Sequence, residues 1–320
     1  MAFTLEGSAP AMRQESQLFS VPVSYTERWR TEHERIHPTT SITEGATSGD
    51  ITFFIPPSSS GLISLNDICL ELELGLQVKT KDVEWKMIGA TDGVSLINNP
   101  LHSIFSTVHV TVANKLISDA STFYPYRAYI ESLLHHSYTA QMSQLTAAGF
   151  LLDSFGQMNH DTLNVGETHR RLLFSRGHTV QLAGRIFSDL FDQEKPLITG
   201  VLINIRLVLA KPEFYLRVSD VDKGKTFRII IQNPRISVRR HIPSPDYMIK
   251  VTEELQTRPC KYHVERNVVR VTDITKGTQS TVVTNLCIGT LPKVSIDYHS
   301  LSRFLTSKIS LFIVGFDWLR

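Results

Sequence analysis

The sequence predicts a mainly β protein built of antiparallel sandwiches of the jelly-roll sort, with helices inserted between strands. The clearest sign is ICLELELGLQVK at 68–79. There Ile68, Leu70, Leu72, Leu74, Leu76 and Val78 hold the even positions, and Cys69, Glu71, Glu73, Gln77 and Lys79 the odd ones. Period two with one acidic face marks a half-buried antiparallel strand. Its length, about twice the usual five or six residues, implies a large sheet. The second sign is that β-rich segments recur at turn-separated intervals, and the third is that helical patterns sit between them as inserts.

Taken in order, residues 1–38 read as an N-terminal arm that ends in a short helix. Ser24 and Glu27 make a capping box, and 25–36 contains no Gly or Pro. ITFFIPP at 51–57 is a strand stopped by two prolines and the SSSG loop. STVHVTVANKLIS at 106–118 alternates Val108, Val110 and Val112 with Thr107, His109 and Thr111, then turns at Asn114-Lys115. His109 is expected to be exposed. The period changes at YPYRAYIESLLHHS, where Tyr126, Tyr129, Ile130, Leu133 and Leu134 form one helical stripe, and a second helical stretch follows around TAQMSQLTAA.

Residues 150–178 read as a long irregular excursion, rich in Gly, Asn, Asp and His. Strands are expected at 178–191, 200–210 and 225–240. A capped helix follows at 244–256, starting at Ser244 with Pro245 in its first turn. CKYHVERNVVRVTDI and STVVTNLCIG return to strand.

Length and composition bound the function. A chain of 320 residues allows one large domain or two ordinary ones. At 42% hydrophobic and 20% charged it is neither disordered, collagen-like nor disulfide-rich. A net charge of +2, from 33 basic against 31 acidic residues, gives no electrostatic case for a dedicated nucleic-acid binder. Cys69, Cys260 and Cys287 are widely spaced with no C-x-x-C, as expected of reduced thiols in an intracellular protein. MAFTLEGSAPAMRQ lacks the blocks of a signal peptide, and LFIVGF at 311–316 is too short to span a bilayer. The expectation is a soluble intracellular protein, neither secreted nor membrane-bound.

One motif suggests chemistry. His33, Glu34 and His37 in TEHERIHPTTS (31–41) spell H-E-x-x-H. On a helix, two histidines four apart share a Zn²⁺ while the Glu activates its water. Pro38 pushes His37 out of helical geometry, and Thr40 and Thr43 stand where the longer zinc pattern has Gly and His. The match is read as chance, with no metal or cofactor expected.

The remaining candidates are weaker. Glu71 and Glu73 read as solvated edge charges rather than a catalytic pair. Neighbouring His135 and His136 point about 100° apart on a helix and do not chelate. The doublets Arg170-Arg171 and Arg239-Arg240 read as surface charge. Phosphate-binding glycine loops, a dinucleotide fingerprint and a nucleophile elbow are all absent, so no active site is assembled and no enzyme is expected.

Two long blocks carry a resemblance: NNPLHSIFSTVHVTVANKLISDASTFYPYRAYIESLL (98–134) and LAGRIFSDLFDQEKPLITGVLINIRLVLAKPEFYL (182–216). Shorter matches are LFSVP at 18–22, His37-Pro38 leading into SITEGATSGDITFFIP, and IGTLPK at 288–293. In these the chain resembles the major capsid proteins of Polinton/Maverick elements and adintoviruses, copies of which sit in animal genomes. The resemblance implies a double jelly-roll whose trimers form pseudo-hexagonal capsomers, with no catalytic residue. It implies a homotrimer as the main assembly and admits a minor capsid or penton protein as partner. It expects no specific nucleic-acid or membrane contact. A virion, or the cytoplasm or nucleus, is the implied location.

That division places an arm at 1–38, a first jelly-roll at 39–222, a partial second at 223–293 and a divergent tail at 294–320. The match stops after Lys293, and Lys293-Val294-Ser295 can be encoded as a splice-donor sequence. The tail is therefore expected to be read-through or a relic, with no defined packed position, and the chain a truncated copy with an incomplete second jelly-roll. The alternative function is a host-retained, non-enzymatic binding module built on the first jelly-roll.

Overall fold

The computed structural model describes residues 28–40, 48–57, 61–80, 84–118, 121–158, 160, 162–262, 264–275, 294–301 and 307–318. The chain opens on β1 (Arg28–Ile36), β2 (Asp50–Ile55) and the long β3 (Leu62–Lys79), then the short β4 (Lys86–Met87) and β5 (Val94–Leu96). One helical turn, α1 (Pro100–Ser103), leads into β6 (Phe105–Val112) and β7 (Lys115–Leu116). The helices α2 (Tyr124–His135), α3 (Tyr138–Met142) and α4 (Val165–Phe174) precede β8 (Val180–Arg185) and β9 (Ile203–Leu209). After α5 (Pro212–Tyr215) and β10 (Leu216–Val218) comes a second long strand, β11 (Thr226–Pro243). The last elements are α6 (Pro245–Thr257), β12 (Val264–Thr275), β13 (Val294–Leu301) and β14 (Ser307–Trp318).

Among the described residues, all the strand pairings are antiparallel. One sheet runs β1-β11-β3-β4, with β8 also on β3, and the other runs β2-β9-β6-β7. Their inner faces meet in one core. Ile68, Leu70, Leu72, Leu74 and Leu76 of β3 join Phe53 of β2, Val110 of β6 and Ile205 of β9, all essentially inaccessible. Burial of a side chain of this kind contributes about 1.5–3 kcal/mol. The period-two reading of β3 therefore holds, with a phase change at its start. Leu65 is buried at an odd position, and the register with β11 shifts between Ser237 and Arg239. Two steps on β11 there face five on β3, and an odd surplus of three residues moves the inward face to the other parity.

The hairpin from β6 to β7 turns on Ala113 and Asn114, with φ of 46° and 65°. Two successive positive φ values are the mark of a type I′ turn, so the turn lies one residue earlier than Asn114-Lys115. His109 is half-buried rather than exposed. The helix at α6 is as expected, with the Ser244 hydroxyl accepting a hydrogen bond from the Tyr247 amide.

Three expectations are corrected. The segment expected to end the arm as a helix is instead β1, paired with β11 from Arg28↔Pro243 to Ile36↔Ile236. Long-range ladder bonds there outweigh a local capping signal, and Ser24 and Glu27 lie outside the described residues. Within 150–178 runs α4, whose N-cap Asn164 accepts from the Glu167 amide. Of its apolar residues Phe174 reaches the core while Val165, Leu172 and Leu173 stay exposed, so the segment carries no clear apolar stripe. Finally, 294–301 and 307–318 do take a defined place: β14 pairs with β12 from Val264↔Trp318 to Thr275↔Ser307, and β13 lies on its other side. STVVTNLCIG, IGTLPK and Cys287 lie outside the described residues.

β11 opens the region that the sequence divided off at 223, yet it is hydrogen-bonded between β1 and β3. The two long strands thus share one sheet, and β12, β13 and β14 form a sheet of their own.

Candidate functional site

The H-E-x-x-H residues sit on β1 and just past it. His33 is exposed opposite Arg239, and Glu34 turns to the other face, where its carboxylate meets Arg240 at 2.6 Å. Four residues of extended chain span about 13 Å, so His33 and His37 cannot close on one ion as they would on a helix. Among the described residues, no group of three His, Cys, Asp or Glu could hold a metal.

Glu71 and Glu73 are not edge charges. β3 has β11 on one side and β8 with β4 on the other, and Glu71 pairs with Arg235 at 2.5 Å. The two carboxylates line a trough of about 180 Å³ with Ala147, Gln181 and Asn233. Cys69 is half-buried on this strand, and burial pushes its thiol pKa up, so it is a poor nucleophile.

The polar chemistry concentrates instead on the inner faces of α2 and α4. On α2 polar side chains are buried beside apolar ones such as Ala128 and Ile130. Arg127, Glu131 and Ser132 face inward, whereas Leu134 is half exposed. The Arg127 guanidinium reaches Glu131 at 2.7 Å and Asp189 at 2.6 Å. Burial alone would lower the Arg127 pKa, but the two carboxylates more than offset it and hold the cation. Burial raises the Asp189 pKa against the opposing pull of Arg127, since one guanidinium faces two carboxylates.

This cluster is the joint with β12. Asn267 donates from its side chain to Glu131 at 3.0 Å and from its backbone to Asp189 at 3.3 Å. Beside it, His102 Nδ1 is 2.9 Å from the Tyr124 hydroxyl, and burial drives the imidazole pKa down to about 3.

The second cluster fixes the loop before α4. Arg170 donates to the carbonyls of Leu96 and Leu151 at 3.1 and 3.0 Å and pairs with Asp153 at 2.7 Å. Asn164 donates to Asp153 at 2.9 Å, and Arg217 meets Glu167 at 2.7 Å. Gly166 leaves no alternative packing: a Cβ there would lie 2.4 Å from the Leu152 carbonyl oxygen. Arg170 and Arg240 are therefore buried ion-pair partners, not surface charge. The sequence reading missed them because their partners lie far along the chain. Arg127 and Asn267 also line a cavity with Ser121, Ser188 and Tyr124, but at about 20 Å³ it has room for little more than a water molecule. Both clusters hold elements together.

No protein-family model and no curated protein matches the chain. Among solved structures, it is similar to a chain of the Sputnik virophage. That match has a TM-score of 0.51 at 12% identity and covers 94% of this chain and 61% of that one. The Faustovirus major capsid protein matches at TM-score 0.47 and 11% identity, over 94% of this chain and 76% of that one. The mavirus major capsid protein matches at 0.41 and 14%, over 85% and 57%. The likeness is one of fold. The architecture is mainly β with antiparallel sheets, and its neighbours are double jelly-roll capsid proteins. The chain spans about three-fifths of the Sputnik chain. Among the described residues, no helix is long and apolar enough to cross a membrane.

Proposed function

We propose that the chain is a capsid-like structural protein, not an enzyme, whose copies associate as trimers into pseudo-hexagonal capsomers. The observation that carries this reading is the fold likeness to the Sputnik virophage chain over 94% of the sequence. The buried charged groups pair with one another and with backbone carbonyls, as groups that hold elements together do. The finer assignment, to the Polinton/Maverick and adintovirus capsid proteins, rests on the blocks at 98–134 and 182–216. A virion location and a penton partner follow from the same assignment.

Sedimentation velocity with negative-stain microscopy of the purified chain tests the proposal. Discrete trimers with a pseudo-hexagonal outline are the expected result. A monodisperse monomer at every concentration would sink it in favour of the binding module built on the first jelly-roll.

A further inference from the structure

β12 meets the first sandwich along a seam that is largely polar. Asn267 is tied there to Glu131 and Asp189, and Val269 of the same strand is buried beside it. The cavity of about 20 Å³ lies at this seam, and six of the nine residues that line it are polar: Ser118, Ser121, Tyr124, Arg127, Ser188 and Asn267. They come from α2, from the segment leading into it, from the turn at Ser188 and from β12, so the cavity forms only where these elements meet.

Size and lining decide what such a space holds. One water needs about 10–15 Å³ and about two to four polar partners, whereas an apolar cavity stays dry. This one has the volume for a single molecule and the partners for it. Ser188 adds an independent sign. It is 2% exposed and lines the cavity, yet its hydroxyl has no hydrogen-bond partner among the described residues. A buried hydroxyl is costly to leave unpaired and is normally satisfied by protein or by ordered water. Charge selects a neutral occupant. The Arg127 guanidinium repels a cation, and the Glu131 and Asp189 carboxylates paired with it cancel its pull on an anion.

We propose that this cavity is a hydration site, in which one ordered water bonds the Ser188 hydroxyl and bridges it to Arg127 or Asn267. Water donates and accepts at once, and a bridge of this kind is nearly as favourable in enthalpy as a direct hydrogen bond. The attachment of β12 to the first sandwich is then partly water-mediated. The site serves the fold whether or not the chain self-associates.

High-resolution crystal structures of the full chain and of Ser188→Ala test the site, with far-UV circular dichroism to check that the variant folds. The wild type should show one ordered water within hydrogen-bonding distance of Ser188 Oγ and of a polar atom of Arg127 or Asn267. Ser188→Ala should lose that peak, because its anchoring partner is gone. No peak in the wild type, or a Ser188 hydroxyl turned onto a protein acceptor, overturns the site. A peak with the scattering strength of chloride overturns the neutral occupant. A water that stays fully occupied in Ser188→Ala overturns Ser188 as its anchor. The wild-type map decides occupancy by itself, so the site remains testable even if the variant does not fold.

Discussion

β3 and α4 each turn one face inward, but β3 buries an apolar stripe whereas α4 buries charged side chains alongside Phe174. β3 sends Ile68 to Leu76 into the core and keeps Glu71 and Glu73 on its other face. α4 sends Glu167 and Arg170 inward and leaves Leu172 in solvent. The strand gains from apolar burial, which needs no particular partner. The helix is held by charged hydrogen bonds, which tolerate burial only when every partner is in place. The sheet should therefore degrade gradually under mutation and the helix abruptly, and substitutions on each can sharpen or break that contrast.

The largest effect is expected at Arg170. Arg170→Ala leaves the Asp153 carboxylate without its cation and takes a donor from the Leu96 carbonyl, while the Leu151 carbonyl keeps Asn98. Urea denaturation should show a loss of about 3–5 kcal/mol, and a loss near zero would refute the buried pair. In the sheet, Leu74→Ala opens a cavity in a fully buried site and is expected to cost about 2–5 kcal/mol by the same measurement.

A smaller, pH-dependent effect belongs to His102. Its folded pKa is held at about 3, below the ordinary 6.5, so the unfolded chain binds the proton first as pH falls. Its contribution is complete above pH 6.5 and is lost on descending from 6.5 towards 3. Between pH 7.5 and pH 5 the linkage amounts to about 2 kcal/mol. Urea midpoints across that range should fall in wild type and flatten in His102→Phe; equal slopes would mean that the imidazole is not buried neutral. The smallest effect is expected at Leu172. In dilute, monomeric protein, Leu172→Gln should change stability by no more than about 0.5 kcal/mol. A loss as large as that of Leu74→Ala would show that Leu172 is not exposed.

Some of these differences were legible in the residues and others were not. The alternation at 68–79 placed five side chains in the core, and Ser244-Pro245 placed α6, because both signals are local. The capping box at Ser24 and Glu27 pointed to a helix, but the decisive bonds of β1 come from β11, about two hundred residues away. The apolar stripe Tyr126–Leu134 located α2 and part of its inner face, since Ile130 is buried, but not the burial of Arg127 and Glu131 or the exposure of Leu134. Asp189 and Asn267, which draw Arg127 and Glu131 inward, share no pattern with the helix in sequence. The H-E-x-x-H spacing had meaning only on a helix and lost it on a strand.

By itself, then, the sequence determined the class of the fold, the inner face of β3 and the absence of recognisable catalytic motifs. Only the tertiary structure decided which way α2 and α4 face, whether Arg170 and Arg240 meet water, and where β1 and the 294–318 strands pair. The physical reason is one of range. Hydrophobic alternation is written residue by residue, whereas a buried charge is placed by partners that the chain brings together only when it folds.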